Sequence, residues 1–595
     1  ASIHLQGILV DSVGEIDVGG VITFTHLTTT GDTIASTQTE LVIPPDGAYS
    51  IDVEYGQIRI DYTTRNTERF VANVIVNSSS TATSLPELLS ATTPVAKPII
   101  IQMQGLVADA TAAATTAEAF ADQLTTTELI ASSAVFAPNT SITTKGYTTS
   151  GDGGAGSWVQ NGVTGQTVSQ SPAQLGNALL NDASGNQWAL VKHSKINVKE
   201  LGAVGDLATD DTLSLVAAIN SAGVEGAGCV YLPKGKYKVT SSIACSPSYD
   251  IALTGDGTGI SQIRSTVAGA PTLLAGDHVG TSPRTFSLRD LSMQYDGASP
   301  PIAGTVAIHA KNLVSPSKFS SFSIQKFYDG LKLEATSLIG NIFVSDFVVG
   351  NTESKGVHLL GGVQGVWLTE GKITARQDGG PVSGSVGIQM DYCNGIYMKS
   401  LDCLLNDRGM LVSPSAGETV HWVFGSQVIL DTNAGAGLDI NPQGGTVNGF
   451  DLSNSWSSSN GDIGVKIRGS SASVVDGISL NMRILKNGLQ GIRLLGGPTT
   501  FTNIKIDGCS VLSNNQTMAG VSGVQVDGGI SGFTIQNCTV GTSSLFANNQ
   551  TNGIRVFAGT SDNYKITGNN LVGNVSTGLN DGGTGANKVI DNNIS

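Results

Sequence analysis

Four acidic side chains gather in one stretch of this sequence: Asp346, Glu370, Asp402 and Asp407. Interleaved with them are Phe343, Trp367, Lys372, Arg376, Tyr397, Lys399 and His421. Carboxylates held close together resist ionising together, so one keeps its proton and can serve as a general acid. A pair about 5–5.5 Å apart suits retaining cleavage of a glycosidic bond, and a pair about 6.5–9.5 Å apart suits inverting cleavage. Aromatic faces stack on apolar ring surfaces, and Trp, Tyr and Phe offer the largest ones. A second chemistry is open to the same residues. Elimination across a uronate needs a base for the proton beside the carboxyl and a cation to neutralise that carboxyl. Tyr397, His421, Lys372, Lys399 and Arg376 are of the right types for it.

A repeat brings these residues together. The unit is apolar-x-apolar, a mixed stretch, an Asn turn, then Gly-apolar-x-apolar. First strands are expected to start at Ile342, Val366, Ile396, Val420, Phe450, Ile478, Ile504, Phe533 and Tyr564, in steps of 24 to 31 residues. Second strands follow as GVHL, GIQM, GMLV, GLDI, GVKI, GIRL, GVQV and GIRV. Asn-x-x-x-Gly recurs at Asn433, Asn460, Asn487, Asn549 and Asn574. Stacked Asn residues can bond the next coil, and Asn tolerates the left-handed backbone of such corners.

Stacked coils lie about 4.8 Å apart, so equivalent positions form columns. The outward residue of the first strand then reads Ser287, Ser323, Phe343, Trp367, Tyr397, His421, Asp451, Ser479 and Lys505. Either a sugar or a sister subunit would cover such rings. Three residues on come Asp346, Glu370, Ser400, Phe424 and Asn454. Glu370 and Asp402 are expected as diagonal neighbours with backbones about 7–8 Å apart. Asp378 and Asp391 border an insertion and are reserve candidates. Lys466, Arg493 and Arg555 form a basic column on the second strand.

The bulk numbers agree with many short strands joined by polar turns. The 595 residues include 75 Gly, 40% are hydrophobic and only 13% are charged. A net charge of −15 argues against nucleic acid or an anionic membrane as the main partner. Six Cys in a chain of this length are no disulfide framework, and none has zinc spacing, so no metal or other cofactor is expected. Cys509 and Cys538 fall at the same repeat position and are read as stacked core residues. Neither a signal peptide nor a membrane span is read.

The segment from Ile196 is more specific. INVKELGAVGD, TDDT, LSLVAAINSA and VYLPKGKYKV read as a strand, a helix whose N-cap and first turn are Thr209 to Asp211, and a strand–turn–strand. From Leu201 to Val239 this order resembles the start of the pectate-lyase-like superfamily found in many bacteriophage tailspikes. The stretch DGAYSIDV resembles a prophage tail-fibre N-terminal domain, and GYTTSGDGGAGSWVQNG resembles the neck before many tailspike β-helices.

The resemblance implies an all-β homotrimer. Residues 1–90 would be a small N-terminal β-sandwich for virion attachment. Residues 91–135 would be a linker with a short trimeric coiled coil, given the seam Ile100, Met103, Val107, Ala110, Ala114, Ala117, Ala121 and Leu124. Residues 136–195 would be the neck, and 196–595 a right-handed parallel β-helix, a solenoid. A trimerising domain often follows the last coil, where this sequence reaches Asn593-Ile594-Ser595. The implied function is a tailspike, made in the host cytoplasm and carried on the phage tail, that cleaves bacterial O-antigen or capsule as an endo-acting glycoside hydrolase. Its partners would be that polysaccharide and tail or baseplate proteins, without membrane insertion. A polysaccharide lyase on the same scaffold and a non-catalytic receptor-binding fibre are the alternatives. Glu370, Asp402, Asp346 and Asp407 would be catalytic. Trp367, Tyr397, Phe343, His421, Arg376 and Lys399 would bind substrate.

Overall fold

The structure is a computed structural model. It describes residues 1–595 apart from 10–17, 29–34, 65–66, 92–123, 176–177, 192, 224–227, 246–249, 280–283, 337–339, 378–379, 471, 498, 519 and 548. The chain divides into two units, Ala1–Phe120 and Ala121–Ser595. The predicted coiled-coil seam, Leu124 excepted, lies outside the described residues.

The first unit holds two antiparallel sheets. Ser2–Ile8 pairs with Ala48–Glu54, and Val21–His26 lies between Gln38–Val42 and Gly56–Thr64, which pairs on to Thr67–Val76. Period-two alternation produces this, with Ile22, Phe24 and His26 buried on one face of their strand. The Tyr49 hydroxyl accepts from the Leu85 backbone N–H at 2.7 Å, tying the short helix Leu85–Ala91 to the strands.

The second unit is a right-handed parallel β-helix with a four-stranded antiparallel sheet packed at its start. Its coils build one sheet of twenty strands and another of thirteen. Trp158 and Trp188 of that small sheet are fully buried and join the same core. That core runs unbroken along the solenoid, each fully buried Leu, Ile or Phe contributing about 1.5–3 kcal/mol.

The second-strand register is as the sequence predicts. Val357, Ile388, Met410, Leu438, Val465, Ile492, Val524 and Ile554 stack in one inward column. The Gly before each is required by close approach. A Cβ on Gly464 would stand 2.7 Å from both Asn487 Nδ2 and the Gly491 carbonyl oxygen.

The first-strand register holds at eight of nine starts. The exception is Val420, which pairs with Cys393 and Val447, while Val423 takes the expected place beside Ile396 and Phe450. Val420 and Val423 are both buried and apolar, so composition alone does not separate them.

The Asn corner makes the expected bonds across coils, but Asn is not the left-handed residue there. Asn406, Asn433, Asn460, Asn487 and Asn514 form a buried ladder in which the Oδ1 of each of the last four accepts the backbone N–H of the Asn one coil before. Gln550, not Asn549, continues it. The left-handed residue at each corner is the one preceding: Leu405, Thr432, Ser459, Lys486 and Ser513. Asn is used for its bonds across coils rather than for its φ.

The capping helix runs Thr212–Gly223, so Asp206–Asp210 is a strand and the helix begins later than Thr209. Its buried face is Leu215, Ala218, Ile219 and Ala222, whereas Leu213 is 66% exposed. Beneath it, burial pushes the Glu200 carboxyl up to about 7. Burial likewise raises Asp211 to about 6, although the N–H groups of Val204 and Gly205 donate to it at 2.7 and 3.2 Å.

An unfolded Glu titrates near 4.5, so the folded chain holds this proton to higher pH. The stability it confers is full below that value and is lost as pH rises through about 7. The thermal midpoint is therefore expected to fall across this range. Glu200→Gln should flatten that fall in a melting series, and an unchanged slope would remove Glu200 as its source.

Candidate functional site

The outward face of the first sheet carries a column of stacked rings. Phe343, Trp367, Tyr397 and Phe424 occupy equivalent positions on successive coils. Their centroids are 4.9, 4.9 and 5.6 Å apart, with planes 21°, 13° and 24° from parallel. Tyr397 and Phe424 are 39% and 40% exposed. Phe424 enters the column because of the Val423 register. His421 instead stacks between Asn394 and Asn448, outside the column. Lys318 precedes Phe343, and Ser323 lies beyond the bend of its strand, opposite Val348.

The column continues as Asp451, Ser479, Lys505, Thr534 and Lys565. Two residues along, a polar column runs Thr369, Lys399, Ser426, Ser453 and Asn481. An open groove of about 540 Å³ lies over both, from Trp367 to Ser479. Among the described residues that line it, Asp451 is the single carboxyl and Lys399 the single cation. Burial raises the Asp451 pKa from its ordinary value. Sequence reading placed Asp451 in the column but not among the catalytic candidates. Its signal was an acid directly following a run of rings at one repeat position.

The predicted carboxylates stand elsewhere. The sheet bends at a column of left-handed residues, Asp290, Ser321, Asp346, Glu370, Ser400, Gln427 and Asn454, with φ from 47° to 57°. Asp346 and Glu370 are stack neighbours on this ridge, both exposed. Asp346 accepts from Ser321 Oγ at 2.8 Å. Gln427, not Phe424, follows Ser400 there. Asp402 lies past the bend, opposite Lys372. Asp407 immediately precedes the second-sheet strand Arg408–Val412, and its carboxylate accepts from the Gly384 N–H at 3.1 Å.

The remaining candidates are likewise apart. Arg376 lies in a short strand paired with Gly380–Pro381, and Asp378 is outside the described residues. Burial disfavours the Asp391 charge, but bonds from His358, Gln389 and Ser413 outweigh it and lower its pKa. The basic column is broken by Gln525 and its members are engaged. Lys466 pairs with Asp462 and Arg493 with Asp527, both at 3.3 Å, and Arg555 lies 4.0 Å over the Phe557 ring. All six Cys are free thiols. Among the described residues no His, Cys, Asp and Glu group as metal ligands do, and no helix is long and apolar enough to cross a membrane.

A solenoid with a ring-lined outer groove is the architecture against which other proteins compare. Residues 195–289 match the family model described as "Rhamnogalacturonase A/epimerase, pectate lyase-like". Mannuronan C5-epimerase AlgE6 of Azotobacter vinelandii is 35% identical over 111 residues, which cover 17% of this chain and 13% of that protein. The chain therefore aligns with only a small part of that relative. The solved A-module of the same epimerase is similar with a TM-score of 0.48 at 19% identity, covering 67% of this chain and 99% of that one. A tailspike from Acinetobacter baumannii bacteriophage Fri1, described as a capsular polysaccharide depolymerase, is similar with a TM-score of 0.44 at 13% identity, covering 80% of this chain and 75% of that one.

Proposed function

We propose that this protein binds a polysaccharide along the Trp367–Tyr397–Phe424 column and cleaves it, with Asp451 as the proton-donating carboxyl. The observation that carries this reading is the groove itself. Exposed rings stack in line and lead directly to a carboxyl whose burial favours the protonated form. Protonation of the leaving glycosidic oxygen is common to hydrolysis and to elimination.

Hydrolysis also requires a second carboxylate. Glu370 is three coils from Asp451, about 14 Å at the coil spacing, which is too far for that pair. A hydrolytic site would instead use Glu370 on the ridge with Asp402 past the bend. Elimination requires a cation beside a uronate, and Lys399 in the groove favours this second reading. Epimerisation at C5, the activity named for the sequence relative, begins with the same proton removal. The homotrimer, the coiled coil and attachment to a phage tail belong to the same proposal. A monomer by light scattering would remove them without touching the groove.

The test is incubation with an array of bacterial capsular, O-antigen and alginate polysaccharides. Shortened products support cleavage, and their ultraviolet absorbance by an unsaturated uronate selects elimination. Retention without shortening leaves a receptor-binding fibre, and neither retention nor shortening overturns the proposal.

A further inference from the structure

Trp422 stands where the neighbouring coils have glycine. It lies in register between Gly395 and Gly449, and the same corner carries Gly365 and Gly477 further along. Those glycines have φ of 63° to 72°, and Trp422 is held at 51°. A left-handed backbone suits glycine and strains an aromatic residue. Packing does not compensate, because Trp422 is 57% exposed. Its indole lies over the next coil, where a Cβ on Gly449 would come within 3.0 Å of Trp422 Cδ1. The His421 ring is 5.8 Å away and tilted by 49°. Two residues on, Phe424 enters the ring column. Strain that the fold does not use points to a task outside the fold.

We propose that Trp422 is a second stacking platform, set beside the column, for a sugar of the polysaccharide that the column holds. This rests on the function proposed above. It makes the coil of Phe424 and Trp422 the place where the bound chain is gripped from two sides, next to Asp451. The sequence hid it because the expected register put His421 in the column and left Trp422 without a role.

The experiment uses the full chain and the polysaccharide array. Trp422→Gly installs the residue of the adjacent coils, so it is expected to fold with an unchanged or higher thermal midpoint. Its affinity for the retained polysaccharide is expected to fall about tenfold, as loss of one stacking contact implies. Trp422→Phe should recover most of that loss. Trp367→Ala is the control for the column. Loss in Trp367→Ala with none in Trp422→Gly overturns this inference and leaves the function standing. A lower midpoint in Trp422→Gly with unchanged affinity also overturns it, by making the residue structural. No loss in either variant, or neither retention nor shortening by the parent protein, overturns the proposed function and this inference with it.

Discussion

Asp451→Asn is expected to reduce polysaccharide cleavage about a hundredfold to ten-thousandfold, the usual effect of removing a general acid. Binding should stay within about twofold, because Asn keeps the shape and polarity of the side chain. Asp451 follows Phe424 on the next coil, at the end of the ring column. Its burial favours the protonated carboxyl, the form a donor needs. Activity of the parent protein should therefore fall as pH rises through the raised pKa of Asp451, and the Asn variant should lose that limb. Product formation against pH measures both. Glu370→Gln is the counterpart. If it abolishes cleavage with binding intact while Asp451→Asn stays active, the donor is at the ridge and the Asp451 assignment is discarded.

Asn460→Leu is expected to destabilise the β-helix by about 4 kcal/mol, from two to three buried groups left without partners at about 1–3 kcal/mol each. Asn460 is buried within the ladder. Its Oδ1 accepts from the N–H and Nδ2 of Asn433, at 3.1 and 2.9 Å. Its Nδ2 donates to the Leu430 carbonyl at 3.0 Å and to Asn487 Oδ1 at 2.8 Å. Leu has the same branching with bulkier methyl ends and satisfies none of these groups. Asn549→Ala removes a residue of the same sequence motif that stands outside the ladder, where Gln550 takes the acceptor role. It should cost less than about 1 kcal/mol. Urea unfolding of the two variants checks the contrast, and equal losses would show that the ladder bonds are not what the corner requires.

Much of the scaffold is legible because a β-helix repeats one local rule. Inward residues must be apolar on every coil, so GVHL through GIRV stack as their pattern says. Gly recurs before them because the next coil leaves no room for a Cβ. The reading fails where the rule is locally degenerate. In TVHWVFG, Val420 and Val423 both qualify as inward residues, and a shift of three exchanges His421 for Phe424 in the column. It fails again where the strand bends at a left-handed residue, since period two restarts there. That is why Ser323 was expected in a column it does not occupy.

By itself the sequence determined the solenoid, its second-strand register and the run Phe343, Trp367, Tyr397, because these follow from periodicity along one chain. It also determined that Asn marks the corner and bonds across coils, though not which residue there is left-handed. Only the tertiary structure decided which face the carboxylates share. It set Glu370 on a ridge, Asp402 beyond the bend and Asp451 in the groove, because a bend of one residue's φ redirects every side chain after it. The same geometry set Trp422 in a glycine's place. Neither fact is written in composition or spacing, since both depend on which residue of one coil rests on which residue of the next.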